Sequence, residues 1–324
     1  MSGPRLTTVL LEGGDVAALL AQLPTRAGVA QVLGPDGQSL LIGRPANVRR
    51  WVATQLGAGP PPKKGTRPPT NLAPITSAVA FAATTTPFAQ RLAFERVMGR
   101  HVPLSKRRDL KPPVYLHLDP AARFPRLVVR TGEGDRAHLY GPFRSRAAAQ
   151  AAIEMLHARY PLRPCDYVFE PAPDLAVGLG CVFAQVRTCA APCLQRVTED
   201  DYRALAGRAA DALAAGARRG PELAEALPSW VTSVAQARGL VMDRAGATVE
   251  LYPVLAGAVL EEAMVATTLD GLEETVAALR WPAPSEPRDD TRWLLPWLHG
   301  KRTGTYLDLA PGEFAAAIAE RLRA

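Results

Sequence analysis

The sequence predicts an α+β chain in three parts, and three observations carry that prediction. Short apolar runs flank a Pro-Asp-Gly turn near the N-terminus, as in a β-hairpin. Apolar residues recur at helical spacing in several later stretches. All four cysteines fall in one 29-residue window, where a basic half gives way to an acidic one.

The bulk properties bound the answer. A length of 324 residues allows two or three domains. The formal charge of +7 hides an asymmetry: residues 1–164 hold 23 Lys+Arg against 9 Asp+Glu, and residues 165–324 hold 15 against 22. A basic half of this kind suits a polyanion. No apolar run of 18 or more residues is free of charge, so no membrane span is expected. The N-terminus lacks the unbroken apolar core of a signal peptide, and the expected location is cytoplasmic.

In chain order, residues 5–23 read as a short strand or turn followed by a helix capped by Asp15. The runs 28–33 and 38–43 pair around Gly34-Pro35-Asp36-Gly37. Asn47 caps a helix beginning VRRWVATQL. Five prolines and three glycines make 57–70 a loop. Leu92, Phe94, Val97 and Met98 give 87–101 a helical spacing that puts Glu95 on or near the polar face, where a lone glutamate is ordinarily solvated. A basic stretch, 106–111, precedes strand-like alternation at 115–118 and 126–131. An Ala-rich helix ends near Tyr160, and Thr198 caps another whose acidic start suits the helix dipole. Beyond Pro221, residues 222–238 read as a helix, 248–255 and 258–266 as paired strands around Gly257, and 269–279 as a helix. A Pro-rich connector, 280–290, leads to two closing helices; His299, Lys301 and Arg302 read as a surface patch.

The cysteines are Cys165, Cys181, Cys189 and Cys193, with gaps of 15, 7 and 3 residues. Disulfides are one reading, disfavoured in a chain long enough to build its own core. A thiolate cluster more often holds a metal, and four thiolates suit zinc or an iron–sulfur cluster equally. Four buried, inert cysteines are the plain alternative.

These residues resemble a known family. Gly141-Pro142-Phe143, the Ala-rich helix and Tyr160-Pro161-Leu162-Arg163-Pro164-Cys165, followed by Cys181 and Arg187-Thr188-Cys189-Ala190-Ala191-Pro192-Cys193, are similar to the N-terminal half of the UvrC subunit of the bacterial excinuclease and its shorter Cho-like relatives. Upstream, the order of the hairpin, the Glu95 helix and the basic segment fits, so the resemblance covers roughly residues 20–205. It implies a GIY-YIG nuclease fold for the first domain. In that family a tyrosine handles the attacking water, an arginine stabilises the phosphate, and a glutamate holds one divalent metal.

The catalytic pattern breaks here. The first motif is Gly28-Val29-Ala30 and the second Leu41-Ile42-Gly43, with alanine and leucine for the tyrosines; Arg44 replaces a lysine. Trp51 stands where the arginine should, Arg50 being one place early, and only Glu95 matches the metal-binding glutamate. Losing acid–base help alone costs about 10²–10⁴-fold in rate. The expectation is a catalytically degenerate domain, with Mg²⁺ or Mn²⁺ at Glu95 only if the nuclease is active. For Cys165, Cys181, Cys189 and Cys193 the resemblance favours a [4Fe–4S] cluster over zinc, in a structural role.

The expected organisation is a degenerate GIY-YIG-like small-sheet domain over 1–103, a basic connector with a helical four-Cys linker over 104–205, and an acidic α+β module over 206–324. The expected function is UvrC/Cho-like DNA binding in nucleotide excision repair, with DNA and UvrB-like repair proteins as partners. Candidate phosphate contacts are Arg44, Arg49, Arg50, Lys106, Arg107, Arg108 and Lys111. The rivals are an active metal-dependent endonuclease and a protein-interaction or redox-sensing module with no DNA role.

Overall fold

The computed structural model describes residues 4–61, 70–103, 106–107, 109–132, 137–175, 181–214, 232–234, 237–283, 289–300, 304–309, 313 and 315–323. The fold is α+β, and the chain divides into two units: Met1–Asp109 with Asp243–Glu250, and Leu110–Met242 with Leu251–Ala324.

The first unit is built on β1 (Thr7–Leu10), α1 (Val16–Ala21), β2 (Gly28–Leu33), β3 (Ser39–Gly43), α2 (Val48–Gln55), β4 (Ala78–Ala83) and α3 (Pro87–Gly99). The strands make one sheet in the order β1-β4-β2-β3, and each neighbouring pair is antiparallel. The period-2 pleat sorts β2 between two faces. Ala30 and Val32 join Val48 and Val52 of α2 and Leu19 of α1 in one core. Val29 packs with Ala93 and Val97 of α3 in the other. The caps form as the sequence predicts: Asp15 accepts from the Ala18 N–H at 3.0 Å and Asn47 from the Arg50 N–H at 2.9 Å. Thr86 does the same for α3, accepting from the Ala89 N–H at 3.1 Å. Strand β4 has no counterpart in the sequence reading, yet it is central, pairing with β1 on one side and β2 on the other.

At the start of α3 the first unit buries two carboxylates. Asp243 accepts from the Phe88 N–H at 2.8 Å, and Glu250 accepts from the hydroxyls of Thr85 and of Thr86, the latter at 2.7 Å. Burial raises the Asp243 carboxyl above the usual range, against the pull of its hydrogen bonds to the Phe88 and Arg244 N–H groups.

The second unit opens with β5 (Val114–His117), β6 (Val128–Thr131), β7 (Leu139–Phe143) and α4 (Arg146–Arg159), followed by the short α5 (Val182–Gln185) and α6 (Glu199–Ala214). With β8 (Thr232–Ser233) the strands form an antiparallel sheet, β6-β5-β7-β8. Helices α4 and α6 contribute Ile153, Leu156, Tyr202 and Leu213 to a core shared with Leu116, Leu118 and Phe143. A second sheet, β11-β10-β9-β13 with β12 on β10, uses β9 (Arg238–Ala245), β10 (Thr248–Leu255), β11 (Ala258–Val259), β12 (Val265–Thr267) and β13 (Thr305–Asp308). Helices α7 (Leu272–Ala278), α8 (Thr291–Leu298) and α9 (Ala315–Arg323) complete the chain.

Three expectations change. The helix read over 222–238 lies mostly outside the described residues; its described end is strand, with β8 pairing to β7 and Arg238 starting β9. β-branched Thr232 suits that pairing. The strand read over 258–266 is broken into β11 and β12 by a 3₁₀ turn at Glu261–Ala263. His299 is buried rather than on the surface, while Lys301 and Arg302 lie outside the described residues. Among the described residues no helix is long and apolar enough to cross a membrane.

Candidate functional site

The cysteine segment hangs on α4 and α6. Leu162, fully buried, anchors the chain leaving α4 in the core. The next N–H, that of Arg163, donates to the Tyr202 hydroxyl at 2.7 Å, and that hydroxyl donates to the Pro125 carbonyl at 3.0 Å. The two ends of the segment are then tied directly: the Ala190 N–H donates to the Pro161 carbonyl at 2.7 Å, and the Ala172 N–H to the Cys193 carbonyl at 3.0 Å. Ala191 and Gln195, both at φ 53, take the left-handed backbone and turn the chain sharply around Cys193.

The result is convergence. Cys165, Cys181, Cys189 and Cys193, all free thiols, line one small open cavity together with Arg163, Phe169 and Phe183. Burial pushes the Cys189 thiol up to about 11, against the Ala191 N–H that donates to its Sγ at 3.3 Å; the other three cysteines push it the same way. Cys193 is raised too, mainly by burial. Thiols held above the ordinary range keep their protons at neutral pH, and a bound metal is what draws such protons off. Four convergent thiols, an N–H aimed at sulfur and a guanidinium on the cavity wall fit a tetrathiolate group. Among the described residues, no three His, Cys, Asp or Glu side chains are gathered closely enough to hold a single metal ion.

Two residues that position this segment carry no role in the sequence reading. Arg163 donates to the carbonyls of Phe124 at 3.0 Å and Tyr167 at 2.7 Å and lies over the Phe169 ring at 5.3 Å. Tyr202 is fully buried. The available signals are the arginine inside PLRPC and the aromatic one turn past the Thr198 cap.

The first unit treats the positions of the resemblance differently. Ala30 is buried in the core between the sheet and helices α1 and α2, and Leu41 and Trp51, half-buried, pack against it. A Cβ on Gly43 would stand 2.5 Å from the Trp51 ring, so the indole lies directly on that glycine. A Cβ on Gly28 would collide with the Ala82 carbonyl across the strand pair. Both motif glycines are therefore required by packing. Gln90 donates to the Gly28 carbonyl at 2.9 Å and the Pro45 carbonyl at 2.7 Å, pinning the start of β2 and the segment just after β3 to α3.

Glu95 departs from its expected solvated position: it is buried. Its carboxylate pairs with Arg91 at 2.6 Å, one turn earlier, and with Arg107 at 2.9 and 3.3 Å. Arg107 is also buried, and it holds Asp109 at 2.7 and 2.8 Å. The guanidinium of Arg107 is raised, chiefly by the hydrogen bond to Asp109, whose carboxyl is lowered in turn. Arg91 is lowered, chiefly by burial.

The other basic candidates divide. Arg44, Arg50, Lys106 and Lys111 are exposed. Arg49 is half-buried and spends its guanidinium on the carbonyls of Leu23 at 2.8 Å and Ala21 at 3.2 Å, closing the C-terminal end of α1. Arg108 lies outside the described residues.

Comparison with known proteins finds similarity to one family. Residues 113–212 match the family model described as the UvrC/Cho excinuclease middle domain, a span that includes all four cysteines, Arg163 and Tyr202. The UvrABC system protein C of Geobacter metallireducens is 29% identical over 194 residues, 59% of this chain and 30% of the relative. Those of Methylococcus capsulatus and Hyphomonas neptunium are 26% and 27% identical, over 58% and 60% of this chain and 30% and 31% of the relatives. The chain thus spans under a third of the length of these curated relatives. No solved structure matches it.

Proposed function

We propose that this UvrC-like chain is a DNA-binding protein of nucleotide excision repair, with an iron–sulfur cluster at its cysteines and a first unit that has lost GIY-YIG-type cleavage. The observation that carries the reading is the convergence of Cys165, Cys181, Cys189 and Cys193 on one cavity, inside the span that matches the UvrC/Cho middle domain.

For the cluster, the support is the donor set and the resemblance. Four thiolates suit zinc or an iron–sulfur cluster. The cysteine segment's likeness to the UvrC/Cho family favours the iron–sulfur cluster, with Cys165, Cys181, Cys189 and Cys193 as its ligands. Bound there, an iron–sulfur cluster supplies a covalent cross-link among distant parts of the segment, and an electron-transfer capability that nothing else in the site uses. The chain's own residues prepare for it. Tyr202 and the Pro161–Ala190 bond fix the two ends of the segment, and Arg163 puts a cation on the wall of a cavity that becomes anionic on loading.

For the lost activity, the support is that the positions which would move protons or neutralise phosphate now hold apolar residues in or against the core. Ala30 has no acid–base group, Leu41 none, and Trp51 lies on Gly43 where an arginine would reach outward. What remains for DNA is charge. Arg44, Arg50, Lys106 and Lys111 are exposed cations suited to phosphate oxygens, while Arg107 and Arg49 are committed internally. UvrB-like repair proteins are the natural partners, as the name UvrABC system protein C indicates for the relatives.

The test is duplex binding across a salt series. Affinity should fall linearly on a log–log plot, and charge removal at Arg44, Arg50, Lys106 or Lys111 should each reduce the slope by about 0.9. Failure to bind any duplex at low salt, with the cluster intact, would sink the DNA reading and favour a protein-interaction role.

A further inference from the structure

In the first unit, three guanidinium groups surround one aromatic ring. Arg44, Arg91 and Arg107 stand 5.7, 5.8 and 5.7 Å from the centroid of Phe94. The adjacent residue is Glu95, the one acidic match to the family's metal-binding position. Its carboxylate is closed: one oxygen takes Arg91 at 2.6 Å and Arg107 at 3.3 Å, and the other takes Arg107 at 2.9 Å. The carboxylate side chain is 4% exposed. A divalent cation needs anionic oxygens with free lone pairs and a way to keep its waters. Here it would have to displace two buried guanidiniums and sit among three positive charges. The donor set does not fit a divalent metal.

The charges do not cancel. Arg91 and Arg107 are matched by Glu95 and Asp109. Arg44 is the third cation; it is exposed, and no carboxylate pairs with it among the described residues' ion pairs. Its proximity, and that of Arg107, lowers the Arg91 guanidinium further, beyond the effect of burial. Arg91 also keeps a buried Nε with no hydrogen-bond partner. A surplus guanidinium over a ring, backed by two more that are already oriented, offers the planar donor fork that suits a phosphate oxygen pair.

We propose that this centre has reversed its charge preference: Glu95 is closed to a divalent cation by the chain's own arginines, and Arg44 makes the position a site for a phosphate-type anion. The proposal deepens the DNA-binding reading by giving one phosphate an address, and it can succeed where that reading fails.

The experiment has a cation arm and an anion arm on the full chain. In the first, Mn²⁺ is titrated and free Mn²⁺ is followed by electron paramagnetic resonance. Wild type and Glu95→Gln should give the same curve; an Mn²⁺ bound by wild type and lost in Glu95→Gln overturns the proposal. In the second, thermal unfolding is compared in orthophosphate and in chloride at matched ionic strength, for wild type and Arg44→Gln. Exclusion of phosphate from the surface stabilises both proteins alike. The extra rise from site binding should appear in wild type only, about 2–4 °C for every tenfold excess of phosphate over its Kd. Equal rises in the two proteins overturn the proposal, and this arm stands by itself should Glu95→Gln not fold. A duplex titration of Arg44→Gln then separates the sources of the anion. A loss of affinity names the DNA backbone, and unchanged DNA affinity with a lost phosphate shift names a free phosphate compound.

Discussion

The cysteine segment and the Gly28–Gly43 hairpin stand in contrast. Both sit at motif positions of one resemblance, and they have been treated in opposite ways. In the cysteine segment hydrogen bonds tie separate parts of the chain together: Tyr202 with Arg163 and Pro125, Ala190 with Pro161, the Ala191 N–H with Cys189. In the hairpin the glycines persist, but for packing. Gly28 is needed because the Ala82 carbonyl passes close, and Gly43 because Trp51 lies on it. The lesson concerns what a motif residue is evidence for. Four thiols around one cavity have no apolar substitute if a cluster is to be held. A tyrosine that only moves a proton can be replaced by alanine or leucine, and the sheet gains core.

Substitutions should separate the two regions, beginning with the largest effect. Cys189→Ser removes the most buried of the proposed ligands, so iron and acid-labile sulfide should be lost together from anaerobically purified protein, with the visible absorption. Trp51→Arg restores the family's residue type at the cost of an indole on Gly43. Urea unfolding should show a loss of about 3 kcal/mol, and no nicking should appear. Tyr202→Phe leaves the Arg163 N–H without its acceptor and the Pro125 carbonyl without its donor. It should cost about 2 kcal/mol and loosen cluster retention, whereas a similar loss at Trp51 should leave cluster content unchanged.

The smallest effect is a pH dependence in the first unit. Burial raises Asp243 above its ordinary value of 3.8. The folded state therefore holds that proton more tightly than the unfolded one. The resulting stabilisation is fully present below the ordinary value and is lost as pH rises through the folded value. Asp243→Asn keeps an acceptor for the Phe88 N–H and removes the charge facing Glu250. Its stability relative to wild type should rise with pH above about 4, as read by unfolding at a series of pH values.

How much of this was legible depended on whether the determining contact was local. Caps at Asp15, Asn47 and Thr198 follow from one side chain and an N–H three residues on, and all three form. The hairpin follows from its turn and alternation. Strand β4, AVAFAA, shows no alternation or β-branched run; it is a strand because two partners flank it. The fate of Glu95 was half legible: Arg91 lies one helical turn away, but Arg107 arrives from a segment beyond the helix. The cysteine gaps announced a site, and the cavity they line needed the left-handed turns at Ala191 and Gln195, which alanine and glutamine do not advertise.

The proposed role is to bind DNA without cutting it. The most direct measurement is an incision assay on lesion-bearing duplex with UvrB-like partners and Mg²⁺ or Mn²⁺, under conditions where binding is verified in the same tube. The account predicts a bound but intact strand, with no nicks above those of the partners alone. Metal-dependent nicking that disappears in Glu95→Ala would contradict it.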